Sequence, residues 1–230
     1  MVTKESDQLH DEYLQKLGEE FGATYFHARN EWCDLWLTWK QFENLFGHGP
    51  ERVELLNKAG AAFFYRVDRH FFEAVTLALC RLSDPVKSAG KSNLTVMRFE
   101  QFMDTEDRKT RMSELLEAVK TATEFARDWR NRRISHNDYE LKIGTAEPLK
   151  DATRDLMNEA ISALFQVLGF ISAEFLDQHL HNEVIDHLNN EMVMLERLYL
   201  GHETWERKME DFLNEHGTPR VLPSWLTTEK

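Results

Sequence analysis

Apolar residues recur at steps of three and four along most of the chain, the spacing that gathers them on one side of an α-helix. From Ser6 to Phe46 they fall at Leu9, Tyr13, Leu17 and Phe21, then at Trp32, Leu35, Trp36, Trp39 and Phe46. Gly18 and Gly22 mark a kink or a division into two helices. Gly47-His48-Gly49-Pro50 ends the stretch, and Pro50 suits the first turn of the next helix. That helix is expected to reach about Leu82, with Phe63, Val67, Phe71, Val75 and Leu79 on one stripe, before Asp84-Pro85 stops it. Residues 84–94 read as a loop and residues 95–103 as a short helix. Thr105 caps a long helix to about Arg133, with Glu106 and Asp107 in its first turn. A loop over residues 137–147 leads to Pro148 and a helix to roughly His179. The last third, over residues 182–214, is helical again. Val184, Leu188, Met192, Leu195 and Tyr199 form its stripe, and Gly201 marks a break before Trp205, Met209 and Phe212. The tail from Gly217 reads as extended.

No strand-like alternation runs longer than four residues, and no repeat or low-complexity tract interrupts the pattern. The fold class is therefore all-α, an antiparallel helical bundle with additional C-terminal helices. With only 5 Pro and 10 Gly, no linker divides the 230 residues. Residues 1–180 are assigned to the bundle, and residues 181–230 to a C-terminal helical extension and tail packed on the same domain.

Composition narrows the setting. A hydrophobic share of 42% suffices for a core, and a formal net charge of -12 argues against a general nucleic-acid coating protein while leaving room for a local basic groove. Cys33 and Cys80 match no metal spacing and read as buried thiols in a reducing compartment. Met1–His10 has no apolar leader. The uncharged stretch Ala160–Ala173, bounded by Glu159 and Glu174, is shorter than the roughly 20 residues of a membrane span. It is expected to be a buried helix, and the protein to be cytoplasmic with no membrane association.

Against that acidic background stands Arg127-Asp128-Trp129-Arg130-Asn131-Arg132-Arg133-Ile134-Ser135-His136-Asn137-Asp138, with four arginines in seven residues. Guanidinium groups hold phosphate through planar, charge-assisted hydrogen bonds, and histidine moves protons near neutral pH. The combination points to phosphodiester chemistry without a metal or other cofactor. Arg130, Asn131 and His136 are the candidate catalytic residues, and Arg127, Arg132 and Arg133 the candidate substrate contacts. The bare spacing of Arg and His carries little, since 16 arginines and 10 histidines give about two such pairs by chance and the chain has two, the other being Arg197 and His202. A competing reading makes the run a C-terminal helix cap, with cations favouring the dipole and His and Asn satisfying carbonyls. In an unbroken helix Arg130 and His136 would also lie about 240° apart around the axis, so the motif requires the helix to end or distort near Ser135.

Other clusters offer less. Arg81, Asp84 and Pro85 read as a helix stop with a local Arg–Asp contact, or as a turn that buttresses the motif helix. Gly90-Lys91-Ser92 ends like a phosphate-binding loop but lacks the upstream glycine and strand. His179, Glu183 and His187, with Asp177, His181 and Asp186 nearby, share the spacing of a metal site but equally that of a polar helix surface, and no metal is assigned. Of the six tryptophans, Trp32, Trp36 and Trp39 sit at helical spacing; the tryptophans read as core or dimer-interface residues, the alternative being a base-stacking platform.

The arginine run resembles the Arg-polar-x(n)-His signature of the HEPN superfamily of helical ribonucleases and nucleotide-binding proteins. A second stretch, Arg81-Leu82-Ser83-Asp84-Pro85 followed by Asn93-Leu94-Thr95, is similar to a segment of the AbiU-type abortive-infection branch. Two segments in this order, about 45 residues apart, are more specific than either alone. The resemblance spans roughly residues 10–180. It implies a metal-independent endoribonuclease in prokaryotic phage defence or a toxin–antitoxin pair, with Arg130 and His136 as the catalytic pair and Asn131 as the polar residue. It further implies RNA as a partner, a homodimer whose motifs face each other, and an antitoxin or defence partner protein. The alternative is a non-catalytic helical interaction or nucleotide-binding module.

Overall fold

The computed structural model describes residues 2–88, 90–180 and 190–215, excepting the side chains of 2–5 and 211–215. By packing, the chain groups into two units, Met1–Glu43 with Arg66–His187, and Asn44–Tyr65 with Leu188–Lys230.

Helix α1, Val2–Leu17, turns at Gly18 (φ 84°) into α2, Glu19–Phe42. The left-handed backbone at Gly18 strains any other residue. Tyr13 against Tyr25 (5.0 Å between ring centroids) and His10 against Phe26 (4.6 Å) set the two helices antiparallel. Gly22 allows the close approach: a Cβ there would lie 2.5 Å from the Tyr13 carbonyl oxygen. The two glycines thus divide the stretch and then let its halves pack.

Helix α3, Pro50–Ser83, begins at the proline as its fixed φ favours. Phe63 is 65% exposed, and Val75 and Leu79 alone of the expected stripe are fully buried. Gly60, where the backbone leaves helical geometry, lies three residues before Phe63, and the neighbouring Phe64 is the residue buried instead. The expected loop after α3 contains a two-residue antiparallel pair, β1 Lys87–Ser88 and β2 Lys91–Ser92, and then a 3₁₀ helix, Val96–Phe102. Gly90-Lys91-Ser92 therefore lies in a hairpin rather than at a helix start.

The expected helix from Thr105 to Arg133 is three pieces: α4, Glu106–Ala122; α5, Glu124–Trp129; and a π-helical turn, Arg130–Ile134. The break falls at Thr123, whose buried hydroxyl donates to the Val119 carbonyl at 2.7 Å. Within the expected loop after the motif lies a short helix, α6, Tyr139–Ile143, closed by Gly144 at φ 76°.

Helix α7, Arg154–Leu176, starts six residues after Pro148 and is capped by Thr153, whose hydroxyl accepts from the Leu156 amide. Its Leu164, Val167, Leu168 and Ile171 are fully buried. It runs antiparallel to α2. Trp39 Nε1 donates to Asn158 Oδ1 at 2.7 Å, Trp32 Nε1 to the Ile161 carbonyl at 3.0 Å, and Tyr25 Oη to the Leu168 carbonyl at 3.4 Å. Each polar tip of a large buried ring thus finds an acceptor, as burial demands. By length and composition α7 could cross a membrane, but its apolar side chains belong to the core shared with α1, α2 and α4.

In the second unit, Leu45, Leu56, Phe64 and Leu195 are buried, and Asn44 Nδ2 donates to Glu191 Oε1 at 2.7 Å. Helix α8, Asn190–Glu215, continues through Gly201 without the expected break. The expected stripe residues Val184 and Leu188, and the tail from Gly217, lie outside the described residues.

Candidate functional site

Two chain segments build the site: the end of α3 with its hairpin, and the π-turn after α5. The hairpin is stapled to the helix end. Thr95, fully buried, donates its hydroxyl to the Leu82 carbonyl at 2.8 Å and accepts from the Met97 amide at 3.3 Å. Asn93 Nδ2 donates to the Pro85 carbonyl at 2.7 Å and to Ser88 Oγ at 2.9 Å. These bonds fix the turn at Asp84-Pro85 that places the Asp84 carboxylate. Arg81, on the exposed side, pairs with Glu31 at 3.6 Å rather than with Asp84.

Asp84 receives Arg130. The Arg130 Nη1 lies 2.7 Å from Oδ1 and 2.8 Å from Oδ2, and Nε donates to Asn131 Oδ1 at 3.1 Å. Burial disfavours the charge on Arg130, but the Asp84 hydrogen bonds and charge outweigh it, so the guanidinium pKa is raised above its ordinary value. Nη2 keeps no partner among the described residues. The turn after α3 therefore buttresses the motif, and it does so through Arg130, the arginine of the expected catalytic pair.

The other arginines divide. Arg127 donates to the carbonyls of Lys120 and Ser83, both at 3.0 Å, so it ties α4 to the last turn of α3. Arg132 reaches Asp128 at 3.4 Å, Asp138 at 3.5 Å and the Glu147 carbonyl at 2.6 Å. Asp138 also accepts from the Leu141 amide, which with Arg132 holds its carboxyl below the usual range against the opposing effect of desolvation. Arg133 makes no hydrogen bond or ion pair among the described residues; it lines a cavity with Trp129 and Ile134.

The helix does end where the motif requires. The Ser135 amide donates to the Arg130 carbonyl at 2.8 Å and the Asp138 amide to the Arg132 carbonyl at 3.2 Å, closing the π-turn. Such turns are rare and concentrate at functional sites. Backbone amides satisfy these carbonyls. His136 and Asn137 are exposed and make no side-chain hydrogen bond among the described residues, so His136 does not act as a helix cap. The structure thus brings Arg130, Asn131 and Asp84 together, commits Arg127 and Arg132 to internal contacts, and leaves His136 and Arg133 unpaired.

Spacing alone hid the roles of Asp128, Asp138 and the Glu147 carbonyl, which orient Arg132. The acidic residues interleaved with the arginines were their only sign. Among the described residues no three His, Cys, Asp or Glu side chains gather as a metal site. Of the His179, Glu183 and His187 set, the last two lie outside the described residues, as do His181 and Asp186.

A family model, AbiU2 of the HEPN group, matches residues 11–200. No curated protein and no solved structure matches the chain.

Proposed function

Because the chain belongs to the AbiU2 family of HEPN proteins, we propose that it is a metal-independent endoribonuclease serving prokaryotic abortive infection or a toxin–antitoxin pair. One observation carries the reading. His136 follows a π-turn that ends the helix, stands exposed, and makes no side-chain hydrogen bond among the described residues, while Arg130 of that turn is fixed by Asp84.

The chemistry follows from the two groups. His136 takes the proton from a ribose 2′-hydroxyl. The 2′-oxygen bonds to phosphorus, the bond to the 5′-oxygen breaks, and a proton returns to that leaving oxygen. The products carry a 2′,3′-cyclic phosphate and a 5′-hydroxyl. Arg130 offers its Nη2 edge to the phosphate as charge builds, and Asp84 and Asn131 fix the plane of the guanidinium, so that little reorganisation is needed. Arg133, which makes no ion pair among the described residues, binds the phosphate chain. RNA is the substrate, and an antitoxin or defence protein is the partner that restrains the activity.

The proposal includes a homodimer. Tyr139 and Ile143, one turn apart on α6, are 73% and 53% exposed just past His136. A second copy meeting the first about this face covers both and brings a second motif opposite.

Incubation of the chain with single-stranded RNA in EDTA tests the reading. Fragments with 2′,3′-cyclic phosphate and 5′-hydroxyl ends are expected; intact RNA, or cleavage only on adding zinc or manganese, contradicts it. A second reading, a non-catalytic interaction module, draws on the internal commitments of Arg127, Arg130 and Arg132. It expects no cleavage under any condition.

A further inference from the structure

A cavity of about 230 Å³ opens beside the motif, lined by Asp68, Arg69, Phe72, Glu73, Trp129, Arg133 and Ile134. Its contents are unusual in three respects. Asp68 is half-buried and makes no hydrogen bond or ion pair among the described residues. Arg133 is likewise unpaired, so a carboxylate and a guanidinium line one small space without meeting each other. Arg69 and Glu73, by contrast, pair at 3.3 Å and cancel. The third respect is the aromatic wall. Phe72 and Trp129 meet edge to face with centroids 4.9 Å apart, and Trp129 is pinned by donation from Nε1 to the Lys150 carbonyl at 2.8 Å.

Uncompensated opposite charges in a half-buried space call for a ligand that answers both. The volume falls below the roughly 300–1,000 Å³ of drug-sized sites, a size that suits a single base with the rest of the nucleotide outside it. An aromatic wall suits a flat base. A carboxylate accepts best from two adjacent N–H groups. Among the four RNA bases, guanine alone presents that pair next to each other, at N1 and N2. Arg133 then meets the phosphate of the same nucleotide. Arg133 and Ile134 belong to the π-turn that ends two residues before His136, so a nucleotide held here threads its backbone past the reactive histidine.

We propose that this cavity is a guanine subsite, with Asp68 reading the base edge, Trp129 and Phe72 packing on the ring, and Arg133 holding the phosphate. The inference rests on the ribonuclease reading for its place in a reaction, but binding can be measured without cleavage. Burial raises the Asp68 pKa above its ordinary value, consistent with a carboxyl awaiting a partner.

Guanosine 5′-monophosphate is titrated into the full chain and followed by calorimetry, with adenosine, cytidine and uridine monophosphates beside it. The guanine nucleotide is expected to bind at least about tenfold more tightly than the other three, the discrimination typical of a bidentate base contact. D68N should erase that preference, and R133A should weaken all binding. H202A, on α8 and outside the motif, should bind as the parent does. Cleavage of a mixed-sequence RNA should begin at guanosine in the parent and lose that bias in D68N. If the four nucleotides bind alike, or D68N keeps the preference while folded by its helix signal, the subsite is wrong even where H136A abolishes cleavage. If guanine is preferred but no variant or parent cuts RNA, the subsite stands and the ribonuclease reading fails.

Discussion

A single terminal nitrogen of Arg130 donates to both carboxylate oxygens of Asp84, at 2.7 and 2.8 Å, across 46 residues of sequence. The bond joins the end of α3 to the π-turn. It also accounts for the presence of two separate sequence segments in one site: the first places the carboxylate, and the second supplies the guanidinium that it holds.

Removing that carboxylate should cost stability as well as activity. Asp84→Ala leaves a partly buried guanidinium without its partner, and a loss of about 1–2 kcal/mol in urea denaturation is expected. Arg81→Ala, on the exposed side of the same helix end, should change stability by less than about 0.5 kcal/mol. Equal effects would mean that the Arg130 contact carries no weight.

Glycine substitutions separate close packing from helix propensity. Gly22→Ala forces a Cβ to within 2.5 Å of the Tyr13 carbonyl oxygen and 2.8 Å of the Leu14 amide nitrogen, both backbone atoms that cannot swing aside. A loss of about 1–3 kcal/mol is expected. Gly169→Ala, inside α7 with open space at its Cβ, should gain about 0.4–1 kcal/mol. Thermal melts of the two variants should move in opposite directions.

Much of this architecture was legible in the sequence, and the limits have physical reasons. Tyr13, Phe21, Trp32, Leu35 and Trp39 declare their buried faces because three- and four-residue spacing is set by the helix itself. The Thr105 cap and the Asp84-Pro85 stop are local chemistry and were readable as such. The break at Thr123 was not, because the same threonine fits a helix interior or a back-bonded turn. Phe63 is exposed because α3 passes from one unit to the other after Tyr65, and in the first of these the neighbouring Phe64 is the buried ring, which spacing alone cannot show. Packing also assigns residues 44–65 to the unit of the C-terminal helix, a relation between distant segments that periodicity does not encode. At the site, the need for the helix to end near Ser135 came from simple geometry. The choice of Asp84 by Arg130, rather than the nearer Asp128, needed the fold.

Cysteine chemistry gives a pH test. Cys80 is fully buried, and desolvation pushes its thiol up to about 11 although the Arg130 charge pulls the other way; Cys33 is also raised by burial. The thiolate is the reacting form, so Ellman's reagent at pH 8 should label the native chain far more slowly than the urea-unfolded chain. A raised folded pKa favours the native state below the ordinary thiol value. That contribution should be lost as pH rises from about 9 to about 11. Rapid labelling of two thiols in the native protein would contradict the burial.

The proposed dimer face is testable by charge. The parent should sediment at twice the chain mass of 27.1 kDa at micromolar concentration. Tyr139→Asp with Ile143→Asp, at positions 73% and 53% exposed, should return it to the single-chain mass without lowering the melting temperature. A parent that sediments only as a single chain contradicts the dimer.

Cleavage of RNA by His136→Ala tests the central claim most directly. The parent, His136→Ala and His202→Ala are compared on one single-stranded RNA in EDTA, with melting temperatures recorded alongside. His136→Ala should lose about 10²–10⁴-fold in rate, the usual contribution of a proton-transfer residue, while its melting temperature stays near that of the parent because the imidazole is exposed and makes no hydrogen bond among the described residues. His202→Ala, whose imidazole lies 3.0 Å from Glu206, should cut at the parent rate. If His136→Ala cleaves as fast as the parent, the assignment of His136 as the reacting group is wrong.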